Sequence, residues 1–147
     1  MIYTPNIQDC QYLGNEMNLI NDLIKAINGE YSAIICYEQL AKLAPSSEER
    51  ERILEIRKDE IKHLETFSKI YTTLTGRQPH PQVTERCAEE YCEGLDMAFK
   101  DEQITVDFYH EIADKATDPY IKEQFHRAAF DEQNHAVWFS YFFFKCC

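Results

Sequence analysis

A chain of 147 residues, 44% hydrophobic and 28% charged, suits one soluble globular domain, residues 1–147, with a sizeable core. The net charge of −11 argues against a nucleic-acid surface, which needs clustered lysine and arginine. The longest near-continuous apolar stretch, Ala136 to Phe144, falls well short of the ~20 residues of a membrane-spanning helix. No basic-then-apolar leader opens Met1-Ile2-Tyr3-Thr4-Pro5-Asn6, so a cytoplasmic protein is expected.

The first amphipathic segment runs roughly from Glu16 to Ala44 and stops at Pro45. Ser46 and Ser47 offer N-caps for a second, with Glu48 and Glu49 suiting the positive end of its dipole; it runs to about Thr75 and closes at Gly76. Gly76-Arg77-Gln78-Pro79-His80-Pro81-Gln82 cannot be helix. A third helix is predicted from roughly Glu93 to Ala116, with a short helix in Thr84 to Cys92 as a candidate prelude. Asp118-Pro119 caps and starts the fourth, to about Phe144. No segment reads as a strand.

Apolar residues recur at alternating steps of three and four in all four segments, the pattern of a buried bundle seam. The seams read Ile20, Leu23, Ile27, Glu30, Ile34, Tyr37, Ala41; then Ile53, Ile56, Glu60, His63, Phe67, Ile70, Leu74. The third reads Leu95, Phe99, Glu102, Val106, Tyr109, Ala113, and the fourth Ile121, Phe125, Ala128, Glu132, His135, Phe139, Phe142. A carboxylate interrupts every seam near its middle, and two seams add a histidine three residues on.

The chain repeats itself at an offset of 72 residues: Glu30 maps to Glu102, Tyr37 to Tyr109, Asp59-Glu60 with His63 to Asp131-Glu132 with His135, and Phe67 to Phe139. In each half the first glutamate precedes the Glu-x-x-His by 30 residues. Two like hairpins facing each other would form a pseudo-twofold bundle with these motifs at one height.

Ionised carboxylates in a dry core cost several kcal/mol each, roughly, unless compensated. No basic residue lies on the seams. Two divalent cations would balance four glutamates, with two neutral imidazoles completing the set. Residues three apart share a helix face, so Glu60 with His63 can grip one ion and Glu132 with His135 the other, while Glu30 and Glu102 bridge or cap them. A carboxylate from each of two helices plus Glu-x-x-His from the other two is the pattern of di-iron and di-manganese carboxylate sites. The oxygen and nitrogen donors favour iron or manganese, including a mixed pair, over a thiolate-seeking metal. Glu123-Gln-Phe-His126 has the same spacing but lies nine residues earlier, about half a turn round the helix, and faces off the seam.

Asp59 and Asp131 directly precede the glutamates of these pairs. A ligand histidine commonly passes its second N–H to a carboxylate, and each aspartate is assigned to the histidine of the opposite half, against the alternative of a solvated helix acid. Tyr37 and Tyr109, two turns beyond Glu30 and Glu102, are candidates for hydrogen bonds to ligand carboxylates or for electron relay, and otherwise ordinary core tyrosines. His80 and His110 read as surface residues. The aromatic run Trp138 to Phe144 reads as core plus a subunit interface, hence an expected homodimer. Cys10, Cys36, Cys87, Cys92, Cys146 and Cys147 form no Cys-x-x-Cys pair, which excludes a zinc ribbon or rubredoxin-type site. Free thiols are expected in a cytosolic chain. The vicinal pair Cys146-Cys147 is open to two readings, redox-reactive or frayed tail.

From roughly Glu16 to Phe144 the chain resembles the rubrerythrin-like branch of the ferritin-like superfamily. The resemblance rests on Gly29-Glu30-Tyr31-Ser32-Ala33, Asp59-Glu60-Ile61-Lys62-His63, Asp101-Glu102 through Phe108-Tyr109, and Asp131-Glu132-Gln133-Asn134-His135. It implies an all-α, antiparallel four-helix bundle with a crossover, Gly76 to Cys92, between the second and third helices. It also implies two iron ions at the matching glutamates and histidines, which act as the catalytic residues through the metals, and reduction of hydrogen peroxide or reaction with oxygen. The chain departs from rubrerythrins proper in lacking a rubredoxin-type domain, so an external electron donor is needed. Thr105 stands where they carry a further glutamate, and the short fifth helix of storage ferritins is missing. The alternatives are manganese-catalase-like disproportionation, ferroxidase or iron-detoxifying activity without a cage, and a structural bundle with a spectator metal.

Overall fold

A computed structural model describes residues 6–147; the first five residues of the opening stretch, on which the absence of a leader was read, lie outside them. Four helices follow in order: α1 (Ile7–Leu43), α2 (Ser47–Thr75), α3 (Tyr91–Lys115) and α4 (Pro119–Cys146). No strand occurs among the described residues, and none of the helices is long and apolar enough to cross a membrane.

α1 starts nine residues before the expected Glu16. A capping box sets its start: the Asp9 amide donates to Asn6 Oδ1 at 2.9 Å and the Asn6 amide to Asp9 Oδ2 at 3.1 Å. This extra stretch exposes Ile7, Tyr12 and Leu13, so it shows no seam periodicity. α2 begins after Ser46, whose Oγ accepts from the Glu49 amide at 3.3 Å. It ends at Gly76, where φ is 70°, a left-handed cap that a side chain would strain. α3 starts at Tyr91, and residues 77–90 are irregular, so the short helix proposed for Thr84 to Cys92 does not form. Asp118 Oδ1 accepts from the Tyr120 and Ile121 amides, with Pro119 in the first turn of α4.

Three-residue connections fold α1 onto α2 and α3 onto α4 as hairpins. Residues 77–90 cross between them along α1: the Gln82 amide donates to Asn28 Oδ1 at 2.8 Å and the Thr84 amide to the buried Ser32 Oγ at 2.9 Å. Two apolar clusters fill the bundle. One joins Leu23, Ile27, Phe67, Ile70, Tyr109 and Phe125; the other joins Tyr37, Leu40, Ile53, Leu95, Phe139 and Phe142. The pseudo-twofold repeat carries one into the other: Tyr37 meets Phe139 at 5.1 Å between ring centroids and Tyr109 meets Phe67 at 5.3 Å.

The free-thiol expectation is overturned. Cys36 is bonded to Cys87 and Cys92 to Cys147, while Cys10 and Cys146 are free. The partners are 51 and 55 residues apart, so no local spacing announces them. The first bond ties the crossover to α1 and the second ties the end of the chain to the start of α3. The vicinal pair is therefore split, and the tail is not frayed: Cys146 Sγ donates to Glu49 Oε1 at 2.9 Å.

Candidate metal centre

Each helix brings one carboxylate to the same level. Glu30 comes from α1, Glu60 and His63 from α2, Glu102 from α3, and Glu132 and His135 from α4; none is more than 7% exposed. They form two sets, Glu30, Glu60, His63, Glu132 and Glu60, Glu102, Glu132, His135, whose ligand atoms lie within 4.8 Å of one another in each set. Glu60 and Glu132 belong to both. Two ions held by these sets would share Glu60 and Glu132, whereas Glu30 and Glu102 belong to one set each.

Both imidazoles aim Nδ1 inward. His63 Nδ1 lies 2.9 Å from Glu132 Oε1 and 3.6 Å from Glu30 and Glu60. His135 Nδ1 lies 2.8 Å from Glu60 Oε1, 3.4 Å from Glu132 and 3.9 Å from Glu102. Yet Glu60 Oε1, His63 Nδ1, Glu132 Oε1 and His135 Nδ1 are all buried without a hydrogen-bond partner. The close pairs have hydrogen-bond distance without its alignment, because the atoms converge on shared space rather than on each other. Buried polar atoms are rarely left so, and two cations would satisfy all four at once.

The outward nitrogens are held crosswise. His63 Nε2 meets Asp131 Oδ2 at 2.9 Å and His135 Nε2 meets Asp59 Oδ2 at 3.2 Å, each histidine using the aspartate of the other hairpin. The tyrosines cross over in the same way: Tyr37 donates to Glu102 Oε1 at 2.5 Å and Tyr109 donates to Glu30 Oε1.

Without cations the cluster holds protons. Burial, then the neighbouring Glu60 and Glu132, push the Glu30 carboxyl well above the usual range; burial, then Glu132 and Glu60, do the same to Glu102. Burial works against a charged His135, but the facing Glu132 and Glu60 outweigh it and push the imidazole up to about 11. His63 is likewise raised against its burial, by Asp131, Glu132 and Glu30. Burial pushes both tyrosine hydroxyls up, followed by Glu102 for Tyr37 and Glu30 for Tyr109, which keeps them as donors.

The remaining candidates lie elsewhere. His80 is exposed, and the half-buried His110 lies off the cluster, its ring tilted against that of His126 at 5.8 Å between centroids. Glu123 of the decoy pair is exposed beside Arg127. Thr105 Oγ1 donates to the Asp101 carbonyl at 2.8 Å and lines a cavity of about 190 Å³ that reaches the cluster. Small residues (Gly29, Ala33, Ala98) open that cavity, and both Cys36 and Cys87 line it. Sequence reasoning missed these two cysteines; the available signal was Cys36 lying next to the seam residue Tyr37.

The fold and this buried cluster define a ferritin-like protein with a carboxylate–histidine site suited to two metals. Residues 93–146 match the Rubrerythrin family model. The uncharacterized protein YhjR of Bacillus subtilis (strain 168) is 56% identical over 124 residues, covering 84% of this chain and 86% of YhjR. Among solved structures, Desulfovibrio desulfuricans bacterioferritin, determined with its diiron site in different catalytic states, superposes with a TM-score of 0.78 at 22% identity. That match covers 88% of this chain and 80% of the other. A ferritin-like, diiron-carboxylate protein from Bacillus anthracis str. Ames gives 0.76 at 24% identity, over 88% and 97%. The chain belongs to the rubrerythrin-like branch of the ferritin-like proteins, in one family with YhjR.

Proposed function

We propose that this protein is a di-iron carboxylate oxidoreductase that reduces hydrogen peroxide or reacts with oxygen. The observation that carries the reading is the pair of ligand sets sharing Glu60 and Glu132, with four buried polar atoms left unpartnered at their centre. Glu30 and His63 would complete one ion and Glu102 and His135 the other. When bound, the irons supply the electrons that the oxidant takes up.

The protein's own groups prepare the site. Asp131 and Asp59 hold the Nε2 side of their histidines, which turns each Nδ1 inward, where its lone pair would be offered to an ion once the proton there has left. Tyr37 and Tyr109 fix one oxygen of Glu102 and Glu30 and keep a proton there. The two apolar clusters exclude water above and below the cluster, and the cavity between α1, α3 and the crossover admits a molecule the size of peroxide or oxygen. We further propose a homodimer through the exposed strip Phe130, Val137, Tyr141 and Phe144 on α4. A monomer in sedimentation at micromolar concentration would remove that part.

The test is elemental analysis of protein from native-like expression, beside the Glu60→Ala, His63→Ala double variant. About two iron ions per chain, lost in the variant, together with peroxide consumption by the ferrous-loaded protein, are expected. Manganese with reductant-free disproportionation would assign the catalase-like chemistry instead. Iron uptake with oxygen consumption and no peroxide turnover would leave ferroxidase activity. Folded protein that takes up no metal would end the enzyme reading.

A further inference from the structure

Peroxide reduction takes two electrons and two protons per turnover, and the six cysteines contain no Cys-x-x-Cys pair for a rubredoxin-type donor. The cavity beside the cluster contains another source. Glu30, Glu60, Glu102 and Glu132 line it, and so do Cys36 and Cys87, both half-buried and bonded to each other. Cys36 directly precedes Tyr37, whose hydroxyl holds Glu102. Cys87 lies on the irregular crossover, and the bonds from the Gln82 and Thr84 amides to Asn28 and Ser32 keep that crossover against α1 independently of the disulfide. Reduction therefore leaves the two thiols facing each other, ready to re-form the bond. The second disulfide, Cys92–Cys147, does not line this cavity and serves as an internal comparison.

We propose that Cys36 and Cys87 are a redox pair that supplies the electrons and protons for reducing peroxide in this cavity; this rests on the oxidoreductase reading above. Two thiols and one hydrogen peroxide give one disulfide and two waters. The two S–H bonds and the O–O bond break, and one S–S and two O–H bonds form. Each sulfur gives up one electron, and each peroxide oxygen takes one electron and one proton. An external dithiol, small or protein-borne, returns the pair to thiols by exchange and leaves as its own disulfide.

The test uses ferrous-loaded protein, fully reduced and freed of reductant without oxygen, then titrated with peroxide. Thiols are alkylated at intervals and mapped by mass spectrometry. The expected result is a fast phase that consumes about two equivalents, one electron pair from the irons and one from Cys36 and Cys87, against about one in the Cys36→Ala, Cys87→Ala variant, with any oxidation of Cys92 and Cys147 following more slowly. Cys36 and Cys87 should also become protected about tenfold faster than Cys92 and Cys147, and about tenfold faster than the same pair in the Glu60→Ala, His63→Ala variant. If the cysteine variant loses helix content by circular dichroism, the thiol map of the unsubstituted protein decides alone. Iron oxidised by peroxide while Cys36 and Cys87 stay open to alkylation overturns the redox pair and leaves the oxidoreductase intact. Equal rates at both disulfides, or in the ligand variant, overturn it as bulk thiol oxidation. No peroxide consumption at all removes both readings together.

Discussion

Replacing Asp131 by asparagine keeps the size of the side chain and removes the charge 2.9 Å from His63 Nε2. With the carboxylate gone, the imidazole loses the partner that fixes its tautomer and raises its basicity toward a cation at Nδ1. Such outer partners are worth roughly 10–100-fold in metal affinity, which is about 1.4–2.7 kcal/mol. At saturating metal the same amount disappears from the stability of the folded protein, a fall in Tm of about 3–10 °C for a chain of this size. The metal-free protein should differ from its parent by less than about 1 kcal/mol, because the Asp131 side chain is 51% exposed and its ion pair is screened. Asp59→Asn should act in the same direction but more weakly, since its contact is 3.2 Å and it also holds Lys62 at 2.9 Å. Affinity is read by anaerobic competition with a chromophoric chelator, and stability by thermal melts with and without metal. Unchanged affinity in both variants would mean that the aspartates are solvated helix acids, and the crosswise support would fall.

Glu132→Gln should lose both ions and Glu30→Gln about one of the two, because only the former residue belongs to both ligand sets; equal losses by elemental analysis would contradict the shared arrangement. Tyr109→Phe should lower the stability of the metal-free protein by about 1–3 kcal/mol, since it leaves a buried Glu30 oxygen without its donor, as measured by denaturant unfolding. The pH response should have opposite signs with and without metal. His135, raised from 6.5 to about 11, contributes stability that is complete below about pH 6.5 and lost as pH rises through 11, and Glu30 and Glu102, also raised, act in the same sense. Metal must displace those protons, so affinity should instead increase with pH. A metal-free protein more stable at pH 9 than at pH 6 would contradict the proton-loaded cluster.

The seams and the repeat were legible because each half buries its motif at regular steps of three and four, so the sequence alone places Glu30, Glu60, His63, Glu102, Glu132 and His135 at one level. The pairing of Asp59 and Asp131 with the opposite histidines rested instead on the habit of ligand histidines to bond a carboxylate, with a solvated helix acid as the equal alternative, and the contacts at 3.2 and 2.9 Å match the first. Which carboxylates are shared was not, since bridging depends on side-chain reach across helices rather than on spacing. The first turns of α1 escaped notice because residues that pack against nothing leave no periodic trace; the Asn6–Asp9 capping box was the one local sign. The disulfides were invisible because their partners meet through the crossover, whose path a helical pattern does not describe.

The exchange of partners between hairpins has a consequence for how the molecule assembles. A lone hairpin holds a glutamate, a Glu-x-x-His, an aspartate and a tyrosine, yet the aspartate and tyrosine can serve only a second hairpin. The centre is thus completed at the docking of the two halves, and it behaves as the interface of an internal dimer. A change in one half alters the support of the histidine and glutamate in the other. A shift of spacing in one half would therefore put its aspartate and tyrosine out of reach of the other half's histidine and glutamate, so the equal spacing of the two motifs is a condition of the shared centre.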